Sequence, residues 1–134
     1  MNIKLLLVMI ISIVLTSNSF AAGSANDGNS SKIKNNYDKA VVHIKSAKKY
    51  EKKGKTDKAK KKYEKALKLL EKANIKNPNN ADTLNYLGFT TRKLGNFSKG
   101  EEYYLQGLAI NPKHIGINEY LGELYVATNR VSLA

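Results

Sequence analysis

The amino-acid sequence predicts an all-α fold, a solenoid of antiparallel helix pairs. Asn77-Pro78 recurs as Asn111-Pro112, and Tyr86-Leu87-Gly88 recurs as Tyr120-Leu121-Gly122, both at an offset of 34 residues. Two motifs that share one period indicate a tandem structural repeat. Beyond position 36, apolar residues recur at spacings of three and four, as in amphipathic helices, and no segment alternates as a strand would.

Residues 1–21 have the layout of a secretory signal peptide, which predicts a periplasmic or secreted protein. Lys4 precedes a largely apolar run, 5–15, and small residues lie before a predicted cleavage near Ala21 or Ala22. A membrane anchor is the alternative, but 11 residues span only about 16 Å as a helix, short of the ~30 Å hydrocarbon core. We therefore expect no transmembrane span once the signal is removed. The chain has no cysteine, so neither acylation at the cleavage site nor a disulfide is expected.

Residues 22–36 form a predicted flexible linker. Their composition is rich in Gly, Ser and Asn and almost lacks large apolar side chains. Such a segment cannot bury enough apolar surface to offset the entropy lost on ordering. The folded domain is therefore predicted to comprise residues 37–134.

Five helices and the start of a sixth are predicted in this domain. Glycines and Asn-Pro motifs mark the helix ends, because glycine adopts the left-handed conformation and a residue before proline leaves the α region. Asn80 and Asn96 are the predicted N-caps of the third and fourth helices. The predicted helices run from Tyr37 to Gly54, from Thr56 or Asp57 to Asn77, from Ala81 to Leu94, from Phe97 to Ile110, and from Ile115 to Asn129.

Small residues recur where neighbouring helices are expected to cross closely. A glycine inside a helix costs about 0.5–1 kcal/mol relative to alanine, so its recurrence indicates a packing requirement. The predicted packing positions are Ala47, Gly88 and Gly122 in the first helices of the pairs, and Ala59, Ala66, Gly100 and Gly107 in the second helices, with Tyr104 filling a gap between them.

The segment from Ala81 to Gly88, followed by Gly95, Phe97, Gly100, Tyr104, Gly107 and Pro112, resembles a tetratricopeptide repeat. Repeats are placed at about 40–78, 81–114 and 115–134, the last incomplete, which gives about two and a half repeats. The first repeat needs seven extra residues, because its glycine lies 41 residues before the next one and not 34. The chain departs from the family pattern at Leu84, Thr91, Gly100 and Gly107.

The incomplete third repeat leaves a predicted apolar face at the end of the array, which repeat proteins normally shield with a cap. Two expectations follow. Either the sequence is truncated relative to the natural gene, or a second copy covers the face. A homodimer is expected only in the second case, in which the end at Ala134 is natural.

Candidates for catalysis or metal binding are few, and we expect no enzyme activity, metal or cofactor. His43 and His114 belong to different repeats and have no carboxylate at ligand spacing. Glu101 and Glu102 are adjacent on a helix and therefore point about 100° apart, which is unsuitable for a shared ligand.

The resemblance implies a protein- or peptide-binding scaffold whose concave groove is lined by the first helix of each pair. Phe89 was given two interpretations from the sequence: an exposed aromatic anchor for the partner, or a filler between adjacent helix pairs. The predicted groove residues are Ile44, Lys48, Asp82, Asn85, Phe89, Arg92, Lys93, Glu119 and Glu123.

The charge distribution offers an alternative function. The formal net charge is +12, and 13 lysines against four acidic residues lie between Lys48 and Lys76. This excess predicts a surface that binds anionic lipid, polysaccharide or nucleic acid through the first repeat. An ordinary solvated helix face is the competing interpretation, because 21 lysines and only two arginines do not favour specific phosphate recognition.

Overall fold

A computed structural model describes residues Asn35–Ala134, which form α-helices and one short 3₁₀ turn and contain no strand. The all-α prediction is confirmed. The predicted signal peptide and most of the predicted linker lie outside these residues. Among the described helices, none has the length and apolarity needed to cross a bilayer. The elements are α1 (Asn36–Lys52), α2 (Thr56–Lys76), α3 (Ala81–Lys93), α4 (Phe97–Ile110), α5 (Ile115–Ala127) and the 3₁₀ turn η1 (Val131–Leu133).

Side-chain caps begin four of the five α-helices. The Oδ1 atoms of Asn80 and Asn96 accept hydrogen bonds from the backbone N–H groups of Thr83 (2.8 Å) and Lys99 (3.1 Å), as predicted. Asn35 caps α1 in the same way, so the helix begins at Asn36, inside the range assigned to the linker. These bonds satisfy N–H groups that the first turn of a helix leaves without partners.

The helix ends follow the predicted punctuation. Gly54 and Gly95 adopt φ values of +66° and +94° directly after α1 and α3, a conformation that disfavours any residue with a Cβ. α2 ends at Lys76 and α4 at Ile110, each one residue before the Asn-Pro motif. The extra seven residues of the first repeat lie in its second helix, since α2 has 21 residues and α4 has 14.

Consecutive helices form antiparallel pairs that stack into an array. α1 packs against α2 and α3 against α4, while α2 contacts α3 and α4 contacts α5 across the pair boundaries. The first helices also contact one another, α1 with α3 and α3 with α5, whereas α2 and α4, both fully described, make no comparable contact. The array is therefore tighter on the side formed by α1, α3 and α5, which we call the inner face.

Small and large side chains alternate in the interior. Ala47 and Ala66 are fully buried and Ala59 is nearly so, which lets α1 and α2 approach closely. Tyr63 and Tyr104, at 1% and 0% exposure, are the largest buried side chains and fill the space between pairs. Burying each of these aromatic rings removes on the order of 150–250 Å² from water, so they dominate the apolar contribution to folding.

Three of the four predicted packing glycines lie at close crossings. A Cβ on Gly88 would lie 2.5 Å from Cε1 of Tyr104, and one on Gly100 would lie 3.1 Å from the carbonyl oxygen of Gly88. A Cβ on Gly107 would overlap Cδ1 of Ile117. For Gly122 the prediction is wrong, because nothing lies within 4 Å of a Cβ there. Gly88 faces Tyr104 of α4, whereas the described chain after α5 forms only η1, which offers Gly122 no equivalent ring.

An ion pair holds the turn that follows α5. The Arg130 guanidinium donates to both carboxylate oxygens of Glu101 on α4, Nη1 to Oε1 at 3.0 Å and Nη2 to Oε2 at 2.6 Å. This two-point geometry orders the turn more effectively than a single contact would. The hydrogen bonds from Arg130 lower the pKa of Glu101, in agreement with the geometry.

Gly88→Ala and Gly122→Ala form a matched pair that tests this packing. We expect Gly88→Ala to reduce the free energy of unfolding by about 1–3 kcal/mol, because the buried Tyr104 ring must shift. Gly122→Ala meets no neighbour and should increase it by about 0.5–1 kcal/mol through helix propensity. Urea unfolding followed by circular dichroism measures both changes. Equal effects of the two substitutions would contradict the Gly88–Tyr104 contact.

Candidate partner-binding site on the inner face

A cavity of about 260 Å³ opens on the inner face between α1, α3 and α5. It draws residues from all three first helices, so it exists only when the repeats are stacked. The sequence analysis placed five of its lining residues in the groove. The lining residues are Lys48, Glu51, Lys52, Phe89, Arg92, Lys93, Tyr120 and Glu123, and we call this set the inner-face site.

Phe89 is the floor of the inner-face site and is only 2% exposed. The interpretation of Phe89 as an exposed anchor is therefore wrong, and the filler interpretation holds. Its ring centroid lies 5.9 Å from that of Tyr63 on α2 and 4.9 Å from that of Tyr120 on α5. The three rings join the three repeats in one aromatic contact, at distances where aromatic pairs attract.

Lys48 covers the aromatic floor from α1. Its Nζ lies 4.5 Å from the Phe89 centroid and 5.5 Å from that of Tyr120, and it donates a hydrogen bond of 3.3 Å to the Tyr120 hydroxyl. A cation over an aromatic face is attracted by the ring quadrupole. Among residues 35–134, no carboxylate lies within 4.0 Å of Lys48.

Two ion pairs form the rim of the inner-face site. Arg92 Nη2 lies 2.6 Å from Oε2 of Glu123, which links α3 to α5. Lys93 Nζ lies 3.0 Å from Oε1 of Glu51, which links α3 to α1. The hydroxyl of Tyr63 donates to the other oxygen of Glu51 at 2.9 Å. Burial is the main cause of the raised pKa of Tyr63, and this hydrogen bond adds to it.

The rim ion pairs differ in exposure, and the difference decides which one is structural. The Arg92 side chain is 10% exposed, and its Nε has no hydrogen-bond partner among the described residues. It lies near the buried Tyr104 hydroxyl, whose pKa is raised by burial and lowered in part by the Arg92 charge. Lys93 and Glu51 are each about one-third exposed, so solvent screens their attraction and it contributes little to stability.

The remaining predicted groove residues lie outside the inner-face site. Ile44 and Asn85 are buried, at 2% and 8% exposure, and cannot contact a partner directly. Glu119 is exposed but does not line the cavity. Asp82 lies at the other end of α3, where its Oδ1 is 3.0 Å from Nε2 of His114.

His114 has a structural role that the sequence analysis missed. Its Nδ1 accepts a hydrogen bond of 3.1 Å from the backbone N–H of Ile117 and so caps α5, while Nε2 faces Asp82. This arrangement requires the neutral ring to carry its proton on Nε2, because Nδ1 is the acceptor. Histidine is not among the usual N-cap residues, so the residue type gave no signal for this role.

Tyr120 was the other omission. The sequence analysis used it only to mark the repeat, although it lines the inner-face site and bonds to Lys48. Its equivalent one repeat earlier, Tyr86, contacts Tyr37 of α1 edge-on at 5.8 Å. The tyrosine of the Tyr-Leu-Gly motif thus contacts an aromatic residue of the preceding first helix in both repeats, a signal that was present in the sequence.

A larger cavity of about 540 Å³ lies at the other end of the first pair, lined by Asn35, Tyr37, Lys76, Asn80 and Asp82 among others. Burial, with a smaller contribution from the Asp82 charge, raises the pKa of Tyr37 to about 12. Its polar lining consists largely of amides at helix ends. Among residues 35–134, no cluster of three or more His, Cys or acidic side chains could hold a metal ion.

Comparison with known families agrees with this architecture. A family model described as "Tetratricopeptide repeat" matches residues 38–113, which is more than half of the chain. This chain belongs to the tetratricopeptide repeat family. No curated protein matches it. Tetratricopeptide repeats generally mediate protein–protein interaction and form a non-catalytic scaffold, and the matched segment contains the first two helix pairs.

The burial of Phe89 makes a prediction about stability. We expect Phe89→Ala to reduce the free energy of unfolding by about 3–5 kcal/mol, because it leaves a cavity where three repeats meet. Phe97→Ala is the matched control on the same repeat, since Phe97 is 39% exposed, and it should cost far less. Thermal unfolding of both variants measures the difference. A Phe89→Ala protein as stable as the Phe97→Ala protein would show that Phe89 does not form the floor of the inner-face site.

Proposed function

We propose that this tetratricopeptide repeat protein is an exported scaffold that binds a protein or peptide partner at the inner-face site. The cavity formed jointly by α1, α3 and α5 is the observation that carries the proposal. It combines a rigid aromatic floor with charged side chains at its rim. A surface of this kind favours recognition of another chain over chemistry, because no nucleophile and base lie together in it.

Charge indicates what kind of segment the partner presents. The inner-face site contains four cations, Lys48, Lys52, Arg92 and Lys93, against the carboxylates Glu51 and Glu123. Arg92 and Lys93 are already paired with these carboxylates. Lys48 is the cation whose charge is available to a ligand, and its position over Phe89 and Tyr120 holds it in place. We therefore propose a partner segment that carries acidic side chains.

Export is the second component of the proposal, and it is supported by the sequence alone. Residues 1–21 combine Lys4, an apolar run too short to span a bilayer, and small residues before the predicted cleavage position. A protein that leaves the cytoplasm without cysteines needs no disulfide for stability, in agreement with a domain held by stacked helices.

Lys48→Met tests the inner-face site without removing its floor. Methionine keeps the aliphatic contact over Phe89 but removes the charge, so we expect at least a tenfold loss of partner affinity with little change in stability. Lys49→Met is the matched control, since Lys49 is exposed and does not line the cavity. Capture from the source envelope by each immobilised variant, followed by mass spectrometry and titration of the captured partner, gives the comparison. Equal capture by both variants would refute the assignment of the site.

The export proposal predicts the start of the mature chain. Expression of the chain from Met1 should yield a protein in the periplasm or medium that begins at Ala22 or Gly23, as read by amino-terminal sequencing. Replacing Leu7 and Ile11 by Arg interrupts the apolar run and should leave the chain unprocessed in the cytoplasm. An intact Met1 in the unmodified protein would contradict the proposal.

A further inference from the structure

A row of lysines runs along the outer side of α2, away from the core. Its members follow one another at spacings of three and four residues, so they lie within an arc of about 80° around the helix. From first to last the row is about 27 Å long at the rise of an α-helix. All of its members are exposed, and we call this set the lysine row: Lys58, Lys61, Lys65, Lys68, Lys72 and Lys76.

The acidic residues of α2 are separated from the lysine row. Asp57, Glu64 and Glu71 recur every seven residues and form their own narrow strip along one edge of the row. A solvated helix usually intersperses charges of opposite sign along one face, which stabilises it. Here the two signs are sorted into parallel strips. The outer surface of α2 therefore presents a continuous positive line.

No ion pair neutralises this line. Within residues 35–134, no member of the lysine row lies within 4.0 Å of a carboxylate. Consecutive members are like-charge neighbours at the spacings that destabilise a helix. The field extends onto α1, because Lys62 and Lys65 add to the burial that lowers the pKa of His43. An anionic ligand along the row would relieve the repulsion between its members.

We propose that the lysine row binds the surface of an anionic lipid bilayer. Lysine is a flexible point charge without the two-pronged geometry that arginine uses for individual phosphates, which suits an array of mobile headgroups. No aromatic residue lies in the arc of the row, so nothing there would stack on bases. Ile75 is 81% exposed and lies beside Lys72 and Lys76. An exposed apolar side chain at the edge of a basic row fits the headgroup region of a bilayer.

The lysine row and the inner-face site lie on different sides of the first helix pair. On α1, His43 points towards the row and Lys48 towards the inner-face site, and five residues separate the two positions by about 140°. Contact with a bilayer therefore leaves the inner-face site open. The protein can bind a membrane and a protein partner at the same time.

Vesicle flotation tests the proposal, with vesicles of phosphatidylglycerol mixed with phosphatidylcholine and vesicles of phosphatidylcholine alone. We expect binding only to the mixed vesicles, with affinity that falls steeply as salt rises because the charges are screened. Replacing Lys61, Lys65, Lys68 and Lys72 together by Gln should reduce binding at least tenfold. Absence of binding to the mixed vesicles would overturn the proposal.

A second variant with the same change in net charge is the control. It replaces Lys45, Lys49, Lys60 and Lys113, which are exposed and outside the row, and binding should stay within about twofold of the unmodified protein. Equal losses in the two variants would refute a role for the row itself. Ile75→Ser should weaken vesicle binding several-fold but leave binding to heparin and single-stranded DNA unchanged. Tighter binding to either polymer than to vesicles, with no effect of Ile75→Ser, would assign the row to a soluble polyanion and overturn the lipid proposal.

Discussion

Phe89 stands between Tyr63 of the first repeat and Tyr120 of the third, and this contact joins the three repeats into one body. A helix pair of this size cannot bury both of its apolar sides alone, so each pair depends on its neighbour. The contact also sets the position of Lys48, which lies over both rings on α1 and α5. Packing and the inner-face site therefore share the same residues, and a change in stacking would change the site.

The charges of the molecule fall into two regions with different character. On the inner face, cations and carboxylates from successive first helices pair with one another, as Arg92 does with Glu123, so the positive charge left over is small and fixed in position. On α2, the charges are sorted by sign and left unpaired among residues 35–134. Fixed charge in a cavity favours selective recognition of one segment, whereas a flexible row of lysines favours a broad, salt-sensitive attraction. The two proposed interactions follow from this difference.

The period of 34 residues was sufficient to predict the helix pairs, their boundaries and the longer second helix of the first pair. It succeeded because the helix ends depend on local chemistry, such as the Asn80 cap and the left-handed Gly95. It failed at Gly122, because a repeat position predicts a contact only where the neighbouring helix follows. Burial of Phe89 could not be decided either, since a helical wheel does not show that Lys48 and Tyr120 close over the ring. The role of His114 depends on Asp82, 32 residues earlier, which no local pattern reveals.

The contact between the rings of Phe89, Tyr63 and Tyr120 can be observed directly by nuclear magnetic resonance of the folded domain in solution. The account predicts cross-relaxation between the ring protons of Phe89 and those of both tyrosines, together with slow exchange of the surrounding amides. Phe89 ring protons that show cross-peaks to solvent and to neither tyrosine would contradict it, because the repeats would then not be stacked as described.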